Sequence, residues 1–158
     1  MRYYLGLGGN LGDREDCLRQ CRERLERSKI RIRRESSLYE TEPVGRLGQP
    51  WYLNQAIEVE TDLGPSELLE AVKSIESDMG RILGNVGGPR LIDIDILLAG
   101  ALVVDTGRLQ LPHPRMASRN FVLVPLSEIS AGAVHPVLGK TIGELQAECR
   151  DTSAYCLY

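Results

Sequence analysis

Hydrophobic and polar residues alternate at the start of the chain and then recur at helical spacing. Residues Arg2–Leu7 alternate with the period of a β-strand. A stripe of apolar and cysteine positions follows Asp13, which has Asp16 three residues later, so the pattern predicts a helix capped by Asp13 and running to about Ser28. The glycines of residues 6–12, at the end of the strand, are interpreted as a tight turn that leads into the helix.

Both periodicities continue through the rest of the chain. The predicted elements are two strands at Ile30–Tyr39 and Tyr52–Thr61, a helix from Pro65 to Gly80, a strand that contains Asp93 and Asp95, and a short strand at Leu102–Val104. The order β-α-β-β-α-β predicts an α+β protein with a ferredoxin-like split βαβ sandwich, in which helices pack on one face of a mainly antiparallel sheet. Helical patterns at Phe121–Ile129 and Thr141–Glu148 add extra C-terminal elements.

Length and composition narrow the class of protein. The chain has 158 residues, 42% of them hydrophobic, so residues 1–158 are expected to form a single domain around one core. The net charge of −3 comes from interspersed charges, which argues against nucleic-acid partners and a membrane anchor. Because no apolar run approaches the ~20 residues of a membrane span and the N-terminus lacks a secretory pattern, we expect a soluble, cytoplasmic protein. Cys17 and Cys21 are interpreted as small core residues of the first helix.

Two carboxylates stand two residues apart in an otherwise apolar, β-branched run. Side chains alternate along a strand, so Asp93 and Asp95 share one face while Ile92, Ile94 and Ile96 share the other. Oxygen ligands favour a hard cation, and a site with few carboxylates suits Mg²⁺, which takes further ligands from water and substrate phosphates. The alternative is that the two acids form the solvated face of an edge strand.

A second group of residues combines a histidine with two arginines. His113 lies between two prolines that fix the local backbone, and Arg115 and Arg119 follow within seven residues. Such a cluster can offset the charge of a polyphosphate during group transfer. The alternative is a histidine that caps a turn beside two solvated arginines.

Aromatic residues make up only 5% of the chain, so their positions are informative. Phe121, the only phenylalanine, lies beside the basic cluster, and Asn54 is expected to face the same side of its strand as Tyr52. A flat heteroaromatic ring could stack between Tyr52 and Phe121 while the amide of Asn54 binds its edge. Ordinary core packing is the competing interpretation.

Taken together, these residues resemble the 6-hydroxymethyl-7,8-dihydropterin pyrophosphokinase family. The similar motifs span most of the chain and comprise Gly8-Gly9-Asn10-Leu11-Gly12, Ser36-Ser37-Leu38-Tyr39-Glu40-Thr41-Glu42-Pro43, Gln49-Pro50-Trp51-Tyr52-Leu53-Asn54, Gly88-Pro89-Arg90-Leu91-Ile92-Asp93-Ile94-Asp95 and Pro112-His113-Pro114-Arg115-Met116. The resemblance implies Mg²⁺-dependent transfer of pyrophosphate from ATP to 6-hydroxymethyl-7,8-dihydropterin in folate biosynthesis. Protein partners are not implied by the resemblance.

The resemblance also implies a role for individual residues. Asp93 and Asp95 would hold two Mg²⁺ ions with ATP and, together with Arg81 and Arg90, would be the catalytic residues. The residues implied for the pterin are Thr41, Pro43, Val44, Tyr52, Asn54, Asp93 and Phe121. Those implied for ATP are Lys73, Glu76, Arg90, Ile96, Arg108, Gln110, His113, Arg115 and Arg119.

Two glycine- and proline-containing loops, Pro43–Trp51 and Arg81–Pro89, would close over the substrates as lids. The second loop has Leu83 and Gly87 where family members commonly carry an arginine and a tryptophan, which predicts a weaker seal over ATP.

Two other classes of function stay open at this point. A different Mg²⁺-dependent transferase could use the same aspartates but would release diphosphate or ADP instead of AMP. A non-catalytic ligand sensor would bind nucleotide without needing Asp93.

Overall fold

The computed structural model describes residues 1–44, 48–80 and 91–158. Along the chain the strands are β1 (Arg2–Gly9), β2 (Arg31–Glu35), β3 (Tyr39–Thr41), β4 (Tyr52–Glu60), β5 (Asp93–Leu98), β6 (Val104–Asp105), β7 (Gln110–Leu111) and β8 (Tyr155–Leu157). The α-helices are α1 (Arg14–Arg27), α2 (Pro65–Asp78), α3 (Asn120–Ser130) and α4 (Ile142–Glu148).

One sheet organises the fold. Its strands lie in the order β5-β1-β4-β3-β8, β2 also pairs with β4, and β6 and β7 form a separate short ladder. All the strand pairings in the described ranges are antiparallel. The predicted α+β class with a mainly antiparallel sheet is therefore confirmed.

The two faces of the sheet are covered by different helices. Tyr3, Leu5 and Leu7 of β1 point into a core that they share with buried residues of α1 and α2. Ala56 of β4 and Leu97 of β5 belong to a second core, with buried residues of α3 and α4. The expectation that helices lie on one face is thus met by α1 and α2, whereas the strongly apolar α3 packs on the opposite face.

The predicted helices are confirmed, with their expected caps. The backbone N–H of Asp16 donates to Oδ1 of Asp13 at 3.0 Å, which satisfies one free amide at the start of α1. Cys21 lies in the core as expected, where burial raises the pKa of its thiol to about 12, and Cys17 is partly exposed. Among the described residues, none of the helices is both long and apolar enough to span a bilayer.

Several strand boundaries differ from the prediction. The single strand expected at Ile30–Tyr39 is divided into β2 and β3, which both pair with β4. The strand expected at Leu102–Val104 is shifted to Val104–Asp105, where it pairs with Gln110–Leu111. The pattern did not predict β8, an exposed strand of three residues.

Candidate active site

Two glycines of β1 lie beside the aspartate pair of β5. Gly8 is opposite Asp93 on one side and Asn54 on the other, and Gly6 is opposite Asp95. Because glycine has no side chain, this part of the sheet is left open between the polar residues of β4 and β5. A Cβ atom at Gly8 would lie 2.3 Å from Oδ1 of Asn54, so this position does not accommodate a larger residue without displacing the amide.

Gly6 lies within the strand that the alternation predicted, but the assignment of Gly8 and Gly9 to a turn was wrong, because β1 continues to Gly9. The sequence did contain a usable signal. Gly6-x-Gly8 has the same two-residue period as Asp93-x-Asp95, and glycine inside a strand often marks a close approach of a ligand or backbone.

The glycines form part of a cavity of about 410 Å³. Tyr52 and Phe121, the two rings expected to hold a heteroaromatic group, both line it. The predicted residues that it brings together are Thr41, Val44, Tyr52, Asn54, Asp93, Asp95, His113, Arg115, Arg119 and Phe121. Pro43 lies in the chain between the lining residues Glu42 and Val44 but does not itself line the cavity.

One hydrogen bond fixes the polar edge of this cavity. Nδ2 of Asn54 donates to Oγ1 of Thr41 at 2.6 Å, and both side chains are buried. The bond joins β4 to β3 and holds the amide in one orientation. An amide held in this way presents defined donor and acceptor atoms to a ligand.

A second cavity, of about 670 Å³, shares Asp95 with the first but is not lined by Asp93. It brings together five predicted nucleotide-binding residues, Lys73, Ile96, Arg108, Gln110 and His113. Arg115 and Arg119, which were also predicted to contact ATP, line the first cavity instead. Asp95 and His113 line both cavities, so they stand at the junction between them.

Glu76 links helix α2 to strand β5 through a hydrogen bond. It is buried in α2, where Oε1 accepts a hydrogen bond from the backbone N–H of Ile94 at 2.7 Å and Oε2 accepts one from Nζ of Lys73 at 3.2 Å. Ile94 is the residue between the two aspartates. Glu76 lines neither of the two cavities in the described part of the chain and instead ties α2 to β5.

The charges at the junction act on one another. Burial and then the negative charge of Asp93 raise the pKa of Asp95 to about 7. Burial, followed by the charges of Arg119 and Arg115, lowers the pKa of His113 below its ordinary value of 6.5, so this imidazole is neutral at pH 7. Nδ1 of His113 accepts a hydrogen bond from the backbone N–H of Arg115 at 3.1 Å, which leaves the proton on Nε2.

The donor set of the aspartate pair fits a hard cation. The described residues include no group of three or more histidine, cysteine or acidic side chains that could hold a metal ion. Two carboxylates on one strand face are nevertheless a suitable set for Mg²⁺, which keeps several waters and takes other ligands from phosphates. Burial is the main cause of the raised pKa of Asp95 and the negative charge of Asp93 adds to it, and a divalent cation at the pair would offset both effects.

Some predicted residues lie outside the described ranges. These are the proposed catalytic residues Arg81 and Arg90, the whole loop Arg81–Pro89 with Leu83 and Gly87, and residues 45–47 of the loop Pro43–Trp51.

The fold and the site together define an enzyme of the phosphoryl-transfer class, with a carboxylate pair in a ring-sized cavity and one of its members, Asp95, shared with a cationic cavity. The family model for 7,8-dihydro-6-hydroxymethylpterin-pyrophosphokinase (HPPK) matches residues 4–131, and the chain belongs to this family. The resemblance found in the sequence is thereby confirmed.

Curated relatives agree with this assignment. The chain is 46% identical over 127 residues to a 2-amino-4-hydroxy-6-hydroxymethyldihydropteridine pyrophosphokinase of Bacillus subtilis. The aligned residues make up 80% of this chain and 76% of that relative. It is 43% identical over 148 residues to the protein of the same name from Methylorubrum extorquens, covering 93% and 92% of the two chains. A mitochondrial folate synthesis bifunctional protein of Pisum sativum is 44% identical over 130 residues, which are 82% of this chain but only 25% of that relative.

A solved structure shows the same fold at low sequence identity. The crystal structure of Plasmodium falciparum HPPK-DHPS with pteroate has a TM-score of 0.73 and is 17% identical to this chain. The similarity covers 93% of this chain and 42% of the other.

Proposed function

We propose that this protein transfers the pyrophosphoryl group of ATP to 6-hydroxymethyl-7,8-dihydropterin and so produces AMP and the pterin diphosphate in folate biosynthesis. The observation that carries the proposal is the position of Asp95, which lines both the ring-sized cavity and the cationic cavity. Two substrates bound in these cavities would meet at the aspartate pair. Family membership and the names of the relatives support the same reaction.

The first cavity is the proposed pterin site. Tyr52 and Phe121 would hold the two faces of the ring, and Asn54, fixed by Thr41, would bind its polar edge. This arrangement would direct the hydroxymethyl group towards Asp93 and Asp95.

The second cavity is the proposed ATP site. Lys73 and Arg108 supply positive charge, while Ile96 and Gln110 offer apolar and polar contacts to the nucleoside. The neutral His113 would donate from Nε2 to a phosphate oxygen at the junction, where Arg115 and Arg119 add further positive charge.

Asp93 and Asp95 are the proposed ligands of two Mg²⁺ ions. When bound, the ions would neutralise phosphate charge and help to orient ATP. The chain itself would contribute alignment of the hydroxymethyl oxygen with the β-phosphorus, since a pyrophosphoryl transfer needs positioning and charge stabilisation and no covalent nucleophile. The catalytic roles of Arg81 and Arg90 remain predictions from the family resemblance, since both residues lie outside the described ranges.

We also propose that the α+β fold is of the ferredoxin-like type. The strand order β5-β1-β4-β3 and the two helices α1 and α2 on one face support this assignment.

A turnover assay tests the proposed function. The protein is incubated with ATP, Mg²⁺ and 6-hydroxymethyl-7,8-dihydropterin, and AMP is separated from ADP by chromatography. We expect pterin-dependent AMP, a loss of roughly 10²-fold or more in Asp93→Asn and Asp95→Asn, and normal rates in the exposed control Asp62→Asn. Pterin-dependent ADP would indicate an ordinary kinase, and nucleotide binding without turnover would favour a sensor.

A further inference from the structure

The C-terminal residues Asp151–Tyr158, here called the C-terminal strap, contact the beginning of α3. Oδ2 of Asp151 accepts a hydrogen bond from the backbone N–H of Asn120 at 3.0 Å. Nδ2 of the buried Asn120 donates to the carbonyl oxygen of Ser153 at 2.7 Å. The strap therefore fixes the first residue of α3.

This end of α3 forms one wall of the pterin cavity. Asn120 is flanked by Arg119 and Phe121, both of which line the cavity, and the guanidinium of Arg119 lies over the ring of Phe121 at 5.4 Å from its centroid. A shift of Asn120 would therefore move the ring and the charge together.

The same strap also contacts a second segment that lines the cavity. The backbone N–H of Glu42 donates to the carbonyl oxygen of Ala154 at 2.9 Å, and the N–H of Ala154 donates to Oε2 of Glu42 at 2.8 Å. β8 then pairs with β3, with Tyr155 opposite Thr41. Thr41 and Glu42 both line the pterin cavity.

The strap continues past the cavity to α1. The backbone N–H of Tyr158 donates to the carbonyl oxygen of Leu38 at 2.9 Å, and the guanidinium of Arg14 lies 5.8 Å from the centre of the Tyr158 ring. Tyr158 is thereby attached to α1 and to the segment before β3.

The far end of α3 has its own attachment. Glu128 accepts hydrogen bonds from the backbone N–H and the hydroxyl of Ser37 and from the hydroxyl of Tyr39. The hydrogen bonds of the strap to Asn120 act at the other end of the helix, beside the cavity. The match to the family model stops at residue 131, so the strap lies outside it.

We propose that the C-terminal strap holds the two walls of the pterin cavity at a fixed separation, with Asp151 as its main positioning residue, and thereby sets the affinity for the pterin substrate. This inference rests on the proposed function. Asp151 acts through Asn120 and does not touch the substrate. The proposed ATP cavity is lined by no residue of the strap.

Two binding measurements on the full chain test this proposal. Pterin affinity is measured by fluorescence titration with 6-hydroxymethylpterin in the presence of Mg²⁺ and a non-hydrolysable ATP analogue, and nucleotide affinity is measured with the analogue alone. The variants are Asp151→Ala, which removes both acceptor oxygens, and the conservative Asp151→Asn, which keeps one. Asp62→Ala, an exposed residue after β4, is the matched control.

We expect pterin binding about fivefold weaker in Asp151→Ala and an intermediate value in Asp151→Asn. Nucleotide binding should weaken clearly less, because in the described part of the chain only Arg119 connects the strap to the phosphates, and the control should change by at most about twofold. Deletion of residues 155–158 should also weaken pterin binding more than nucleotide binding. If Asp151→Ala does not fold, this deletion variant provides the test of the proposal. Unchanged pterin affinity, or an equal loss of pterin and nucleotide affinity, would overturn the proposal. A wild-type protein that binds both ligands but makes no pterin-dependent AMP would contradict the proposed function and leave the binding test of the strap intact.

Discussion

The amide oxygen of Asn54 occupies the space that a side chain at Gly8 would need. The two residues face each other across β1 and β4, and a Cβ at Gly8 would lie 2.3 Å from Oδ1 of Asn54. Since the amide is held by Thr41, a larger residue at position 8 must disturb a buried hydrogen bond.

We therefore expect Gly8→Ala to weaken pterin binding strongly, by about tenfold or more, because it displaces the amide that binds the edge of the ring. Gly6→Ala is the matched variant on the same strand. A Cβ there would meet Leu97 at 3.5 Å, an ordinary contact, so its effect on pterin affinity should be smaller. Fluorescence titration with the pterin compares them, and equal losses in both variants would contradict this account of Gly8.

The hydrogen bond between Glu76 and the backbone of β5 leads to a prediction about stability. Glu76→Ala removes the acceptor of the buried Ile94 N–H, so it should lower the free energy of unfolding by about 2 kcal/mol. Glu76→Gln keeps an oxygen and should cost less. Urea unfolding measures both, and a large loss of nucleotide affinity with unchanged stability in Glu76→Ala would instead support direct contact with ATP.

Glu128 predicts how stability depends on pH. Burial alone would raise the pKa of this carboxyl, but hydrogen bonds from Tyr39 and Ser37 outweigh it and hold the pKa below the ordinary value of 4.5. A carboxyl whose pKa is lower in the folded state stabilises the protein above its unfolded pKa and loses that contribution as the pH falls through the folded pKa.

Glu128→Gln should therefore be less stable than the wild type at pH 7, by at most about 1 kcal/mol because the carboxylate is exposed to solvent. The difference should shrink as the pH falls below 4.5 and through the folded-state pKa, because the wild-type carboxyl then becomes protonated. Urea unfolding at pH 7 and at a series of acidic pH values checks this, and a difference that stays the same throughout would show that charge is not its cause.

Local patterns predicted the elements whose residues carry their own signal. The Asp13 cap and the apolar stripe predicted α1, and the alternation around Asp93 and Asp95 predicted their shared face, which the first cavity confirms because both residues line it. These features depend on neighbours in sequence, so the sequence alone contains the information.

Features that depend on distant partners were missed. The burial of Glu76 requires the N–H of Ile94, which comes from another element, and no helical pattern reveals that partner. β8 is short and exposed, and it forms because β3 offers a free edge. Gly8 was assigned to a turn because glycine favours turns, whereas its strand position is explained by Asn54 on the neighbouring strand.

The central claim is that two cavities joined at Asp95 serve the transfer of a pyrophosphoryl group. The most direct measurement uses ATP labelled with ³²P at the β-phosphorus, together with Mg²⁺ and 6-hydroxymethyl-7,8-dihydropterin, and follows the label by chromatography. Our account predicts that the β-label moves into the pterin product and that unlabelled AMP is released. Label that stays in ADP while the pterin gains a single phosphate would contradict it.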